Sequence, residues 1–243
     1  MNKYFIEVKT DKNIGSKEFA TAFLNELYYN LDEKLKPERF NGFEPIRHSI
    51  AEFGLETVIE KWPQMLKRVS DPKYDFDYNW RTEKGLDKRE FPWSCMVWQN
   101  KKAGDALVIK FFEFIIRHFD PAFGFVATWN HHEERNRIKC KSKLKGCISE
   151  AFFTGTDVTE TFPGIFWLTY FSNNMMARIG REKFDSLQVL KSWKYHDGII
   201  IQAYEKCFDE NMVAENNIID QLGSELFFNK AKYIADNNLE IIT

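Results

Sequence analysis

The chain has 243 residues, 44% hydrophobic and 29% charged, with 34 basic against 36 acidic side chains. That length and balance suit a folded globular protein, and a formal net charge of −2 gives no whole-chain case for nucleic-acid binding. No apolar run approaches the length of a membrane span, and the opening MNKYFIEVKT lacks the apolar stretch of a secretory signal, so a cytoplasmic protein with no membrane partner is expected.

The 23 Phe and 7 Trp residues each remove a large area from water, which predicts a dense aromatic core. Residues 3–9 (KYFIEVK) alternate loosely and read as an edge strand. Ser16 is placed to cap a helix carrying Phe19, Phe23 and Leu27 in one row, and Pro37 closes that region. A second helix is expected over 48–60, with Ile50, Phe53, Val58 and Ile59 facing inward and Pro63 disturbing its end. Residues 70–92 lack a clean period and contain Pro72, Gly85 and Pro92, so they read as a long ordered loop. WSCMVWQN (93–100) then reads as a strand, and 105–119 as a central buried helix that Asp105 can cap and Asp120-Pro121 ends, with a strand pair as the alternative. FGFVATW (123–129) is a further strand.

Between 135 and 145, Arg135, Arg137, Lys139, Lys141, Lys143 and Lys145 occupy alternate positions, which puts all of them on one face of an extended segment. The block GIFWLTYFSNNMMARIGREKF (164–184) opens with an aromatic and β-branched strand over 164–171. It continues with Met175, Met176, Ile179 and Phe184 at helical spacing. Asp197-Gly198 between VLKSWK and GIIIQAY signals a hairpin. A helix near 211–222 turns Ile218, Ile219 and Leu222 inward; Gly223 stops it, and Ser224 can cap a further helical segment. Interspersed helices and strands with hairpin connections predict an α+β fold. Its largely antiparallel or mixed sheet packs against helices in a single domain spanning 1–243.

Candidate chemistry is sparse. His131, His132 and Glu133 are metal-capable, with Cys140 and Cys147 downstream, but they lack the spacing that sets two imidazoles on one helical face. A solvated turn leading into the basic strand is the simpler reading. The strand 135–145 is an equally plain solvated or lysine-defended edge, which leaves a nucleic-acid-binding role unfavoured. Cys95 and Cys207, like the other two cysteines, read as reduced, packed thiols. The chain carries no phosphate-binding glycine loop or nucleophile elbow, and no catalytic, cofactor or metal residue is assigned. From Glu205 to Glu240, eight acids stand against three lysines, and Glu210, Glu215 and Asp220 are the expected exposed partner-binding residues.

The run Pro163 to Phe171 followed by Ile179-Gly180-Arg181-Glu182-Lys183 resembles bacterial immunity proteins of polymorphic toxin and type VI secretion systems, nearest to the immunity protein 52 family. The likeness covers roughly 160–228, with the Gly198–Lys206 hairpin piece and Leu222-Gly223 to Phe227-Phe228 in the same order. It implies an α+β protein that binds and neutralises a cognate toxin effector, often a nuclease, without catalysis. Gly164, Trp167, Tyr170, Phe171 and Gly180 are then structural motif positions. The alternatives are a metal-dependent enzyme built on His131, His132 and Glu133, and a nucleic-acid binder using 135–145.

Overall fold

A computed structural model describes residues 3–12, 14–41, 48–63, 68–71, 76–81, 94–100, 103–141, 149–155 and 157–242. Within it, strands β1 (Tyr4–Thr10), β2 (Arg39–Asn41), β3 (His48–Ser49), β4 (Arg68–Asp71), β5 (Phe76–Arg81), β6 (Ser94–Asn100), β7 (Phe123–Thr128), β10 (Leu168–Phe171), β11 (Lys191–Tyr195) and β12 (Gly198–Gln202) form one sheet. Their order is β11-β12-β10-β7-β1-β6-β5-β4-β2-β3, and every pairing is antiparallel. A separate ribbon pairs β8 (Arg137–Lys141) with β9 (Ser149–Phe153). The expected α+β architecture is therefore present, with an antiparallel sheet.

Strand β1 lies in the middle of this sheet between β6 and β7, not at an edge. All seven of its residues are buried, because both faces of the sheet are covered. The loose alternation has its cause here: Tyr4, Ile6 and Val8 meet one layer, while Phe5, Glu7 and Lys9 meet the other. The ion pair between Lys9 and Glu7 lets two charged residues sit in that second layer.

On the first face lies α4 (Asp105–Phe119), apolar on nearly every side as its sequence predicts. Phe111 packs against Trp98 of β6 with ring centroids 4.9 Å apart. At Gly124 of β7 an added Cβ would lie 2.8 Å from Val8 Cγ1 and 3.4 Å from Phe112, so the glycine lets helix and strand approach. Asp105 sits in the first turn and accepts from the Tyr4 hydroxyl at 2.7 Å; the capping position belongs to Gly104. Helix α1 (Lys17–Asn30) starts at Ser16, whose hydroxyl accepts from Phe19 N at 3.1 Å as expected. Phe23 of α1 carries the contact onto α4 through Phe114 and Phe119, at 5.4 and 5.3 Å.

The helix expected over 48–60 is divided. Ser49 ends β3, α2 spans Ile50–Phe53, and α3 spans Leu55–Lys61. Gly54, at φ 79°, breaks the helix between them and turns Phe53 outward, so Phe53 is not a core residue. The span read as a loop over 70–92 contains β5 and the end of β4; the stretches 72–75 and 82–92 lie outside the described residues.

The second face is covered by α5 (Trp129–Asn136) and the segment before β10. Phe125 stacks on Phe166 at 4.2 Å, and Phe123 meets Phe162 at 5.3 Å. Only Leu168–Phe171 of the aromatic run is strand; Gly164, at φ 153°, keeps 164–167 irregular. After β10, α6 (Asn173–Ile179) and α7 (Arg181–Asp185) are separated by Gly180 at φ 111°. The β11–β12 hairpin forms as predicted, but its two-residue turn is His196-Asp197, with His196 at φ 51° and Gly198 already in β12 opposite Tyr195. Gly198 has Phe171 O only 2.1 Å from where a Cβ would stand and the Tyr170 ring at 2.8 Å, so no larger residue fits.

Helix α8 (Met212–Leu222) buries Ile218, Ile219 and Leu222 as expected and stops at Gly223, φ 112°. Gly223 also opens the next 3-10 turn, and Ser224 provides no side-chain cap. The Lys183 ammonium donates to Leu222 O at 2.7 Å, closing the C-terminal end of α8. Phe228 N and Phe162 O join at 2.8 Å, and Ile242 N reaches Lys139 O at 3.1 Å beyond α9 (Lys230–Asp236). These bonds return the chain's last turn to the second face.

Candidate functional site

Among the described residues the predicted metal and basic-strand residues do not converge; Cys147 lies outside them. His131 and His132 lie on α5, both buried, rather than in a solvated turn. Successive helical positions diverge by about 100°, and the two rings accordingly enter different surroundings. His132 is sandwiched between Phe5 at 4.5 Å and Phe153 at 5.0 Å, nearly parallel to both. Burial drives its imidazole down to about 4, the nearby Glu7 carboxylate opposing that shift. Glu133 pairs with Arg137 one turn on. Because α5 runs through Asn136, Arg135 belongs to a helix and leaves the alternating row, while Lys143 and Lys145 lie outside the described residues. Lys139 and Lys141 of β8 are exposed, and Lys141 pairs with Glu240.

Glu215 is the largest departure from expectation. It is 0% exposed, so it is no surface residue. Its position explains this: 215, 218, 219 and 222 are spaced i, i+3, i+4, i+7, one helical stripe, and the stripe faces the core. The Arg135 guanidinium donates to Glu215 Oε2 at 2.6 Å and to Ile165 O at 3.2 Å. His131 Nε2 lies 3.2 Å from the same carboxylate oxygen, off the axis of a good hydrogen bond. Arg135 also lies over the Phe166 ring at 5.6 Å. Burial lowers the Arg135 pKa and Glu215 opposes that shift; burial raises the Tyr204 hydroxyl, with Glu215 adding to it. The pair thus ties α8, α5 and the signature block together beneath the surface.

The motif residues Gly164, Trp167, Tyr170, Phe171 and Gly180 sit in this framework. An added Cβ at Gly164 would come 2.6 Å from Arg135 Nε, so the glycine admits the guanidinium. Buried Trp167 donates through its indole to Glu205 O at 3.3 Å. Tyr170 donates to Asp197 at 2.5 Å, which fastens the hairpin turn to β10. Phe171 meets Phe184 of α7 at 5.4 Å.

Among the described residues, Asp120, His196 and Asp197 bring three metal-capable atoms within 4.8 Å of one another. Their protein partners already account for the arrangement. Asp120 reaches His196 Nε2 and Lys12 Nζ, each at 2.8 Å, and Asp197 accepts from Tyr170. The group ties the hairpin turn to the end of α4.

What the surface offers is the connection from β12 to α8. Glu205, Lys206, Phe208, Asp209, Glu210, Met212 and Val213 are exposed around a buried Cys207. Glu210 accepts a hydrogen bond from Thr128, and Asp220 is exposed on the outer side of α8. Of the three predicted contact acids, Glu210 and Asp220 therefore remain at the surface. Phe208, Met212 and Val213 escape sequence reasoning: the apolar pattern of α8 reads as inward, and only Met212's place ahead of Glu215 on the same stripe hints that the stripe outruns the core.

No protein-family model matches this chain, and no curated protein matches it. Among solved structures it is similar to the Pseudomonas aeruginosa T6SS protein PA0821, with a TM-score of 0.54 and 12% identity over 93% of this chain and 73% of that one. At that identity the likeness shows a shared fold. No helix among the described residues is long and apolar enough to cross a membrane.

Proposed function

We propose that this chain is an immunity protein of a type VI or related toxin system, which binds a cognate antibacterial effector stoichiometrically and neutralises it. It acts in the cytoplasm, by binding and not by catalysis. The observation that carries this reading is the ordered series 163–171, 179–183, 198–206 and 222–228. Those pieces resemble immunity proteins in sequence, and they lie within a fold shared with a T6SS protein. The framework suits tight binding. Buried Glu215 with Arg135, the Trp167 indole on Glu205 O, and the Tyr170 hydroxyl on Asp197 pre-organise the outer surface. Pre-organisation lowers the ordering entropy lost on association. An exposed acidic segment suits an effector with a basic active-site cleft, a nuclease being the natural example.

The test is co-expression with the effector encoded beside this chain. Cells are expected to survive when both are made and to die when the effector is made alone. Equal killing in both cases would refute the reading.

A further inference from the structure

We propose that residues 205–213, the turn from β12 into the first turn of α8, form the surface that docks a basic face of the partner effector. This rests on the immunity reading. Large apolar side chains exposed one at a time are ordinary, whereas a contiguous group marks an interaction site. Among the described residues the exposed large hydrophobics are Tyr29, Phe53, Leu190, Phe208, Met212, Val213 and Ile241. Three of these fall within the six residues 208–213, at 41%, 51% and 70% exposure, and the rest are scattered through the chain.

The same turn carries Glu205, Asp209 and Glu210 against Lys206, a net of −2 over nine residues (three acids less one lysine). Exposed apolar side chains interspersed with a net negative charge suit a protein–protein contact, and that net sign selects a basic partner.

The surface is also held in place, which a dispensable loop would not need to be. Cys207 is buried beneath it, and Phe208 sets its ring edge-on to Tyr4 at 4.6 Å. Asn211 accepts from Ala214 N at 3.0 Å, capping α8, and Asp209 N donates to Lys206 O at 3.0 Å. Gln202 Nε2 donates to Tyr204 O and Glu205 O, both at 3.1 Å. The indole of Trp167 reaches Glu205 O from the signature block. The motif tryptophan therefore fixes the start of the docking turn without touching the partner. Glu215 anchors the same helix from below.

Binding of the full-length protein to its purified effector, followed by surface plasmon resonance, tests this with three variants. Met212→Ala/Val213→Ala changes only exposed side chains and should weaken Kd by about 30-fold or more, mainly through faster dissociation. Asp209→Lys should slow association about 3–10-fold at low salt, the difference shrinking near 0.5 M salt. Tyr29→Ala, an exposed aromatic on α1, should stay within about twofold of wild type. Unchanged thermal midpoints will show that each variant is folded. If wild type binds and the first two variants bind equally well, the docking surface lies elsewhere and the immunity reading stands. Faster association for Asp209→Lys would overturn the basic-partner assignment. Absence of wild-type binding would overturn the immunity reading itself, and this surface with it.

Discussion

Replacing Arg135 with methionine tests the buried pair that holds α8 to the signature block. Methionine keeps most of the side-chain volume but leaves the Glu215 carboxylate, 0% exposed, without its guanidinium partner. Breaking a buried pair from one side is worth roughly 3–5 kcal/mol, because the remaining charge stays desolvated. Here Arg135 also donates to Ile165 O at 3.2 Å and faces Phe166, so the loss should fall in the upper half of that range. For a chain of this length each kcal/mol lowers the melting midpoint by about 2–4 °C, giving a drop of about 8–20 °C. Removing both charges, in Arg135→Met/Glu215→Leu, should restore at least half of the loss, since neither charge is then stranded. Thermal and urea unfolding of the two variants beside wild type measure this. Arg135→Met within about 1 kcal/mol of wild type, or a double variant no more stable than Arg135→Met, would rule out a stranded Glu215 charge as the cause.

Acid stability should depend on His132. Burial holds its imidazole down to about 4 against an ordinary value of 6.5, so the unfolded chain takes up the proton first as pH falls. Its contribution is complete above about pH 6.5 and is lost toward pH 4, about 3 kcal/mol in all. His132→Phe, which keeps the stack on Phe5 and Phe153, should flatten that limb of a stability–pH curve; an unchanged slope between pH 6.5 and 4 would contradict it. A shallower slope should persist in the variant, because burial also lowers His118. Gly198→Ala should destabilise by about 3 kcal/mol or more, since its Cβ meets the Phe171 carbonyl at 2.1 Å; near-wild-type melting would show that β12 can shift.

Much of the fold is legible in the sequence wherever one local signal acts without competition. Ser16 starts α1 and Gly223 ends α8, each through short-range backbone chemistry; the hairpin forms where Asp197-Gly198 signals it, but its turn is His196-Asp197 and Gly198 serves the packing on Phe171. Strand β1 and helix α5 mislead for a shared reason. Glu7, Lys9, His131 and His132 are buried and Arg135 is half-buried, all in partnered or stacked positions. A sequence pattern reads such residues as solvent-facing, because their partners come from distant segments. Gly54 shows the converse: a single positive-φ residue outweighs a convincing helical period on both sides.

The site is less legible than the fold. The acidic bias of the last forty residues is visible in composition, and Glu210 and Asp220 do remain exposed. Weighing the charge of Glu215 above its helical phase misplaces it, although its spacing to Ile218 and Leu222 already puts it on the inward stripe. Phe208, Met212 and Val213 carry no sequence signal of exposure, and only the fold shows that they lie beyond the core. The signature block keeps its structural role and gains a specific one, through Trp167 on Glu205 and Gly164 beneath Arg135.

Neutralisation by stoichiometric binding can be read from a titration of the purified effector's activity with this protein. Activity should fall linearly and vanish at one fixed molar ratio, with excess protein changing nothing further. Full effector activity in the presence of excess protein, or complete loss at a small fraction of an equivalent as an enzyme would produce, would contradict the account.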